Sequence, residues 1–395
     1  MTSQSSQAER PESASVSAVV VLAAGGGTRM KSSTSKLLHQ VGGRSMLSYA
    51  LEAASALDPE HLVVVVGHLR EQVLDHLHDI APHVRTAVQE EQLGTGHAVQ
   101  CGLAAIGDLS GEIVVTYGDV PMLDGETLLG LVAEHRTHGN HVTVLTAVVD
   151  DPTGYGRVLR EGDEVVAIVE QRDATDEERQ IREINSGIYV FDADTLGHGL
   201  AHLRTDNAQG EMYLTDVIGT AREQGERVGA FVCEDPWQTE GINDRVQLAS
   251  MNREMNRRIV ERLMRDGVTV LDPATTWVHD SVDVAADVTL LPGTHLEGAT
   301  SVATGATIGP DTTLRDCEVG EGATVVRSHC QLSVIGDRAV VGPYAMLRPG
   351  TEIGADAHVG SFVETLGATV QPGASVPRLT FLGDAGGSGP ATGPR

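Results

Sequence analysis

The chain has 395 residues, 28 of them basic and 55 acidic, for a net charge of −27. That balance excludes a nucleic-acid or anionic-membrane surface as the main partner, because both need positive potential, but it leaves room for a phosphorylated small molecule in a locally positive pocket. Aromatics are 3% and glycines number 45, which points to tight turns and thin strands rather than a bulky-sided helix bundle.

Residues 1–15 are rich in Ser, Glu and Pro and are expected to be disordered. From Val16 onward, apolar runs at 19–22, 61–66, 113–117, 142–148 and 188–191 predict strands. Helical patterns at 45–56, 70–78, 95–106 and 126–138 separate them. Such alternation predicts a Rossmann-like α/β domain over 16–243, with a mainly parallel sheet buried on both faces. One long helix follows, with Asp244 and Gly267 as its caps. Met251, Met255, Ile259 and Leu263 give it one apolar stripe, and Arg253, Arg257, Arg258, Arg262 and Arg265 a solvated basic face. Residues 244–267 are read as a linker helix.

The sequence then changes period. Val284, Leu290, Leu296, Val302, Ile308 and Leu314 are six residues apart. After a one-residue slip come Val319 and Val325, then Ile335, Val341, Leu347, Ile353 and Val359, and finally Val370, Val376 and Leu382. A sustained hexapeptide period predicts a parallel β-helix over 268–385, in which each apolar residue stacks inside the coil. At three hexads per turn, residues 284–385 supply between five and six coils. Residues 386–395 read as a flexible tail.

No apolar run approaches the roughly 20 residues of a membrane span. Cys101, Cys233, Cys317 and Cys330 form no C-x-x-C pair, which fits a reducing cytoplasm.

Chemistry concentrates early. The first strand runs into Leu22-Ala-Ala-Gly-Gly-Gly-Thr-Arg-Met30, with Lys36 close behind. Glycines let backbone N–H groups approach a phosphate, and Arg29 and Lys36 add the charge a polyphosphate needs. The pattern matches neither a dinucleotide fingerprint nor a P-loop. Lys31 and Lys36 are the only lysines of the chain. Either an Arg-favouring genome left them here, or the loop requires an ammonium that Arg cannot replace.

Together with Gln89-Glu-Glu-Gln-Leu-Gly-Thr-Gly-His97, Tyr117-Gly-Asp-Val-Pro121, Asp151-Pro-Thr-Gly-Tyr-Gly-Arg157, Ile168-Val-Glu170, Glu183-Ile-Asn-Ser-Gly187, Asn207-Ala-Gln-Gly-Glu211 and Glu240-Gly-Ile-Asn-Asp-Arg245, this stretch resembles the sugar-1-phosphate nucleotidyltransferases. With hexapeptide repeats behind them, the motifs are similar to the bifunctional family that joins a UDP-N-acetylglucosamine pyrophosphorylase to a glucosamine-1-phosphate acetyltransferase. The resemblance implies an α/β nucleotidyltransferase fold followed by a left-handed parallel β-helix. It also implies UMP transfer from UTP to N-acetylglucosamine-1-phosphate with release of pyrophosphate, as a step toward peptidoglycan precursors, and a homotrimer.

The resemblance assigns Leu22, Ala23, Ala24 and Gly25 to the substrate loop, and Arg29 and Lys36 to catalysis. Gln89, Gly94 and Thr95 match nucleotide positions; Tyr117, Gly118, Gly156, Glu170 and Asn185 match the sugar pocket. Asp119 ends an apolar strand where open α/β sheets bind ligands, and the preceding Gly lets the chain pass close to one, which favours a Mg²⁺ role over a helix cap. By the family pattern Asn243 is the second Mg²⁺ ligand. His97 reads as structural, because phosphoryl transfer needs positioning more than proton transfer.

The C-terminal half departs from the pattern. Arg348 keeps a phosphate-binding match, but Leu366 stands at a Lys position, Arg378 at the catalytic His position and Phe381 at a Tyr position. The chain stops at Arg395, where the family continues into coils that bind acetyl-CoA. Acetyl transfer is therefore expected to be absent. Two alternatives stay open: a pyrophosphorylase for another sugar phosphate or nucleotide, against which E-Q-L-G-T-G-H and N-A-Q-G-E speak, and a non-catalytic assembly subunit, against which Lys36, Asp119 and Asn243 speak.

Overall fold

The computed structural model describes residues 15–383 except 108 and 208. The expected disordered segment 1–15, apart from Ser15, and the expected tail 386–395 lie outside the described residues. The described residues divide into two compact units: one comprises 15–39 and Ser45–Gln247, the other Gln40–Arg44 and 248–383.

In chain order the elements before the long helix are β1 (Ala18–Ala23), β2 (Gln40–Val41), β3 (Arg44–Ser45), α1 (Met46–Ser55), β4 (His61–Val66), α2 (Arg70–Ile80), β5 (Arg85–Val88), α3 (Thr95–Ala104), β6 (Glu112–Tyr117), α4 (Gly125–His138), β7 (Val142–Val148), β8 (Gly156–Glu161), β9 (Glu164–Val169), β10 (Glu183–Asp192), α5 (Ala193–Ala201), α6 (Asp216–Glu223) and β11 (Val228–Cys233). A nine-stranded sheet carries the first unit, in the order β11-β7-β10-β6-β1-β4-β5, with β8 added to β10 and β9 to β8.

β1 lies at the centre because all six of its residues are apolar and buried. Val19, Val21 and Ala23 pack into one apolar cluster and Ala18, Val20 and Leu22 into the opposite one, as strand alternation requires. The chain builds outward from β1 through β4 to β5, then returns to place β6 on the other side of β1. A crevice therefore opens at the carboxyl ends of β1 and β6, where the strand order reverses.

The predicted strands and helices are all present, with one refinement of the sheet. It is parallel along β6-β1-β4-β5 and between β7 and β11, but β10 runs antiparallel to both β6 and β7. β8 and β9 add an antiparallel hairpin through the two-residue turn Gly162-Asp163, with Gly162 at φ 64°. Ser45 stands outside α1 as its cap, its Oγ accepting from the Ser48 N–H at 3.1 Å.

α7 (Arg245–Arg265) has both expected caps. Asp244 Oδ1 accepts from the N–H groups of Val246 (2.8 Å) and Gln247 (2.9 Å), and Gly267 turns the chain at φ 100°. Met251, Ile259 and Leu263 are buried. On the basic face, Arg257 and Arg258 pair with Glu254, and Arg265 pairs with Glu261.

In the second unit, Gly42 and Arg44 of the β2–β3 hairpin pack among residues far along the chain. The Gly42 N–H donates to Asn252 Oδ1 at 3.1 Å, the Gly42 carbonyl accepts from the Asp280 N–H at 2.8 Å, and Arg44 pairs with Asp280 at 3.2 Å. Gly43 has φ 89°, and a Cβ there would lie 2.3 Å from the His279 ring.

From Thr269 to Gly383 the chain winds into three parallel sheets of seven, seven and six strands. This is the predicted β-helix, and its first strands precede the hexad run. Two gaps in the apolar period are filled by residues the pattern passed over. Cys330 pairs with Leu314 and Leu347, and Thr365 with Leu347 and Leu382; both are fully buried in the inner column. The buried Thr365 hydroxyl shares a 2.8 Å hydrogen bond with Thr351 Oγ1, which offsets its desolvation.

Candidate functional site

The loop after β1 is shaped by Gly27, whose φ of 56° is left-handed and whose Cβ position would lie 3.0 Å from Lys36 Cβ. This close approach seats Lys36 against the loop, with its side chain only 12% exposed. At the end of β6 the Gly118 N–H donates to the Leu22 carbonyl at 3.0 Å, which fixes the spacing of the two strand ends. Asp119 follows, and its carbonyl accepts from the Ile242 N–H at 3.0 Å, drawing the 240–243 turn across. Gln247, in the first turn of α7, accepts from the Asn243 N–H at 2.7 Å.

These anchors bring three predicted residues together. Lys36 Nζ makes an ion pair with Asp119 Oδ2 and donates to Asn243 Oδ1 at 3.3 Å. A carboxylate oxygen and an amide oxygen thus converge on one cationic point. Among the described residues no group of three or more His, Cys, Asp or Glu side chains is arranged to hold a metal. The donor set nevertheless fits a hard dication that takes one or two protein oxygens and draws the rest from phosphates and water.

Two cavities meet here, and Tyr117 and Asp119 line both. The first, about 280 Å³, is walled by the loop residues Leu22, Ala23, Ala24 and Gly25, by Lys36, and by Gln89, Gly94 and Thr95. Gly94 caps α3 at φ 117°, so the amino end of that helix, Gly94 and Thr95, lines the cavity, with the Gly96 N–H of the first turn paired to the Met212 carbonyl at 2.9 Å. Gln89 is 5% exposed, and its Nε2 donates to the Gly94 carbonyl at 3.0 Å, leaving Oε1 as the acceptor end. His97 contacts the same amide, with Nδ1 at 3.2 Å. The second cavity, about 330 Å³, is lined by Arg29 and Asn243 together with Tyr155, Ser186 and Gln247.

Gly156, Glu170 and Asn185 form a group of their own: a Cβ on Gly156 would lie 3.4 Å from Glu170 Oε1 and 3.5 Å from Asn185 Cβ. Gly118 packs against Leu37 and Leu47, where a Cβ would come within 3.2 and 3.3 Å. Arg348 belongs to the solenoid, where it pairs with Glu364 at 2.7 Å.

Burial governs the electrostatics. It pushes the Tyr117 phenol well up, with Asp119 and Glu170 adding to the effect, and it pushes Tyr155 up to about 12, with Glu240 and Asp119 adding. The Glu170 carboxyl is raised by burial and then by Asp173 and Asp216. Two neutral phenols thus flank the Lys36–Asp119 pair.

Some lining residues lay inside quoted motifs without being singled out. Gln92 donates to the Ala24 carbonyl at 2.6 Å and lines the first cavity with Glu211, while Tyr155 lines the second. Gln247 carries no motif signal; only the fold places it.

Residues 19–183 match the MobA-like NTP transferase domain, and residues 333–376 match the bacterial transferase hexapeptide (six repeats). The Bifunctional protein GlmU of Cutibacterium acnes is 59% identical over 375 residues, covering 93% of this chain and 90% of the relative. That of Pseudarthrobacter chlorophenolicus is 55% identical, covering 95% and 77%, and that of Corynebacterium efficiens 54%, covering 94% and 77%. A nucleotidyltransferase sheet with its crevice at the β1/β6 switch point, a hexapeptide β-helix later in the chain, and relatives matched along nearly the whole chain place this protein in the GlmU family.

Proposed function

We propose that the first unit transfers UMP from UTP to N-acetylglucosamine-1-phosphate, releasing pyrophosphate, and so supplies UDP-N-acetylglucosamine for peptidoglycan precursors in the cytoplasm. The observation that carries this reading is the convergence of Lys36, Asp119 and Asn243 where the two cavities meet. The first cavity takes the nucleotide: glycine-loop N–H groups face its phosphates, and Gln89 Oε1 offers an acceptor to the N3–H of uracil. Gly156, Glu170 and Asn185 hold the sugar. Its phosphate oxygen attacks the α-phosphorus in line; the new O–P bond forms as the bond to pyrophosphate breaks.

Asp119 and Asn243 would hold Mg²⁺, which when bound offsets the negative charge of the phosphates. Lys36 donates to phosphate oxygens, and Arg29, exposed on the loop, covers the leaving group. Pyrophosphate release measured across UTP, ATP and dTTP, each paired with N-acetylglucosamine-1-phosphate or glucose-1-phosphate, tests the assignment. Preference for any pair other than UTP with the N-acetylated sugar overturns it.

We propose further that this chain does not transfer acetyl groups from acetyl-CoA to glucosamine-1-phosphate. The attacking amine must lose a proton to a neutral base, and Arg378, which the family pattern puts at that place, remains a cation. Arg378 is exposed, and Leu366 and Phe381, 41% and 50% exposed, offer neither an ammonium nor a hydroxyl. Arg348 is already paired with Glu364. Free-thiol release from acetyl-CoA is expected to stay at background with or without glucosamine-1-phosphate; release that depends on the sugar phosphate would falsify the proposal.

Assembly through the solenoid is supported by an exposed apolar column at successive corners: Tyr344, Phe362 and Leu379 are 52%, 58% and 76% exposed, with the first two rings stacked at 5.2 Å. A trimer is expected in sedimentation at micromolar protein, and a monomer there would remove the assembly role.

A further inference from the structure

Asn185 lies at an irregularity in β10. It pairs with Thr146 of β7, whereas Tyr189 pairs with Val144, so the register shifts across 186–188. The extra chain is pinned by Ser186, whose Oγ donates to the Leu145 carbonyl at 2.6 Å and accepts from the Ile188 N–H at 3.1 Å. Such bulges re-aim side chains beside sites. Here the displaced backbone brings the Gly187 N–H within 2.9 Å of Asn185 Oδ1, and the Tyr189 hydroxyl reaches the same oxygen, also at 2.9 Å. A backbone N–H only donates, so the atom facing it is the amide oxygen and the orientation of the carboxamide is settled. Tyr189 is 1% exposed, and burial, with Tyr117 and Glu170 adding, pushes its phenol well above the usual range; it stays protonated and donates.

We infer that Tyr189 is a positioning residue: its buried hydroxyl, with the Gly187 N–H, occupies Asn185 Oδ1 and turns the Asn185 amino group toward the sugar as a pure donor. Among the described residues that amino group has no protein acceptor, and it is not shut in from solvent. Gly187 is fixed as glycine, since at φ 83° a Cβ would lie 2.5 Å from the Tyr117 ring. The amide therefore presents N–H to an acceptor oxygen, a hydroxyl or an acetyl carbonyl, and cannot rotate to present its own oxygen without breaking two bonds. The consequence is discrimination at the sugar, independent of the nucleotide cavity. The inference rests on the sugar-pocket reading above.

The test is steady-state kinetics of Tyr189→Phe, Asn185→Ala and the double variant, with KM for the sugar phosphate and for UTP determined separately. Tyr189→Phe keeps the ring and removes one donor, so KM for the sugar phosphate is expected to rise about five- to tenfold, with KM for UTP and kcat within about twofold. In the Asn185→Ala background, Tyr189→Phe is expected to add nothing, whereas a merely structural role would add its full effect and move both KM values. If Asn185→Ala raises the sugar KM and Tyr189→Phe does not, the positioning role is overturned and the sugar pocket stands. If Asn185→Ala leaves the sugar KM unchanged, the sugar-pocket reading fails and the inference with it.

Discussion

Asp119→Ala and Lys36→Ala are each expected to lower uridylyl transfer a hundredfold or more while leaving the fold intact. The two side chains contact one another at a strand end, and neither belongs to the apolar clusters that support the sheet. Their loss removes charge aimed at the reacting phosphates, and single groups of this kind contribute about 2.7–4 kcal/mol to a transition state. Asp119→Ala also leaves the Lys36 ammonium with Asn243 Oδ1, 3.3 Å away, as its remaining acceptor among the described residues, so Lys36 loses its aim as well as its partner. The double variant should fall less than the product of the single losses, because each single change already disables the shared unit. Turnover near wild type by either single variant, with Mg²⁺ saturating and an unchanged far-UV spectrum, would remove the pair from the mechanism.

Gly94→Ala is expected to act through the backbone. A Cβ at Gly94 would lie 2.6 Å from the Met212 carbonyl oxygen and 2.8 Å from the Met212 nitrogen, at a φ of 117°. Both are main-chain atoms already engaged: the Met212 carbonyl accepts from the Gly96 N–H at 2.9 Å, and the Met212 N–H donates to the Leu93 carbonyl at 2.7 Å. Nothing there can swing aside. The start of α3 must move, carrying the Gly94 carbonyl away from Gln89 Nε2 and releasing the acceptor proposed for uracil. We expect KM for UTP to rise tenfold or more, and stability to fall by roughly 1–3 kcal/mol. Gly197→Ala in α5, with no atom near its Cβ position and no left-handed φ, is the control, expected to be neutral or slightly stabilising. An unchanged KM for UTP in Gly94→Ala would show that the helix start does not shape the nucleotide cavity.

How far the molecule was legible in its sequence can be followed residue by residue. β1, β4, β6 and β7 announce themselves because central strands are apolar on both faces. β5 does not: it is an edge strand with only Ala87 buried, so it carries no pattern. The reversal of β10 is invisible because direction leaves no trace in composition; only the pairing with β6 and β7 decides it. In the solenoid the period is set by position inside the coil, not by residue type, so Cys330 and Thr365 occupy inner sites that an apolar count skips. At the site, motifs located Lys36, Asp119 and Asn243, since their spacing along the chain reflects loops folded over one crevice. They said nothing of Gln247 or Tyr189, whose parts arise from the first turn of a helix and from a register shift.

The β2–β3 hairpin has a consequence for how this gene can be divided. Gln40–Arg44 is encoded within the nucleotidyltransferase stretch, yet it belongs to the compact unit that otherwise begins at Leu248. No single cut in the coding sequence separates the two units. A product ending at Gln247 would carry the hairpin without Asn252, His279 and Asp280. A product beginning at Leu248 would lack the main-chain groups of Gly42 and the guanidinium of Arg44 that those residues engage. Shuffling of these two modules between relatives would have to carry five residues across the join, so their inheritance is tied by a short segment that lies outside the catalytic motifs and the hexapeptide repeats alike.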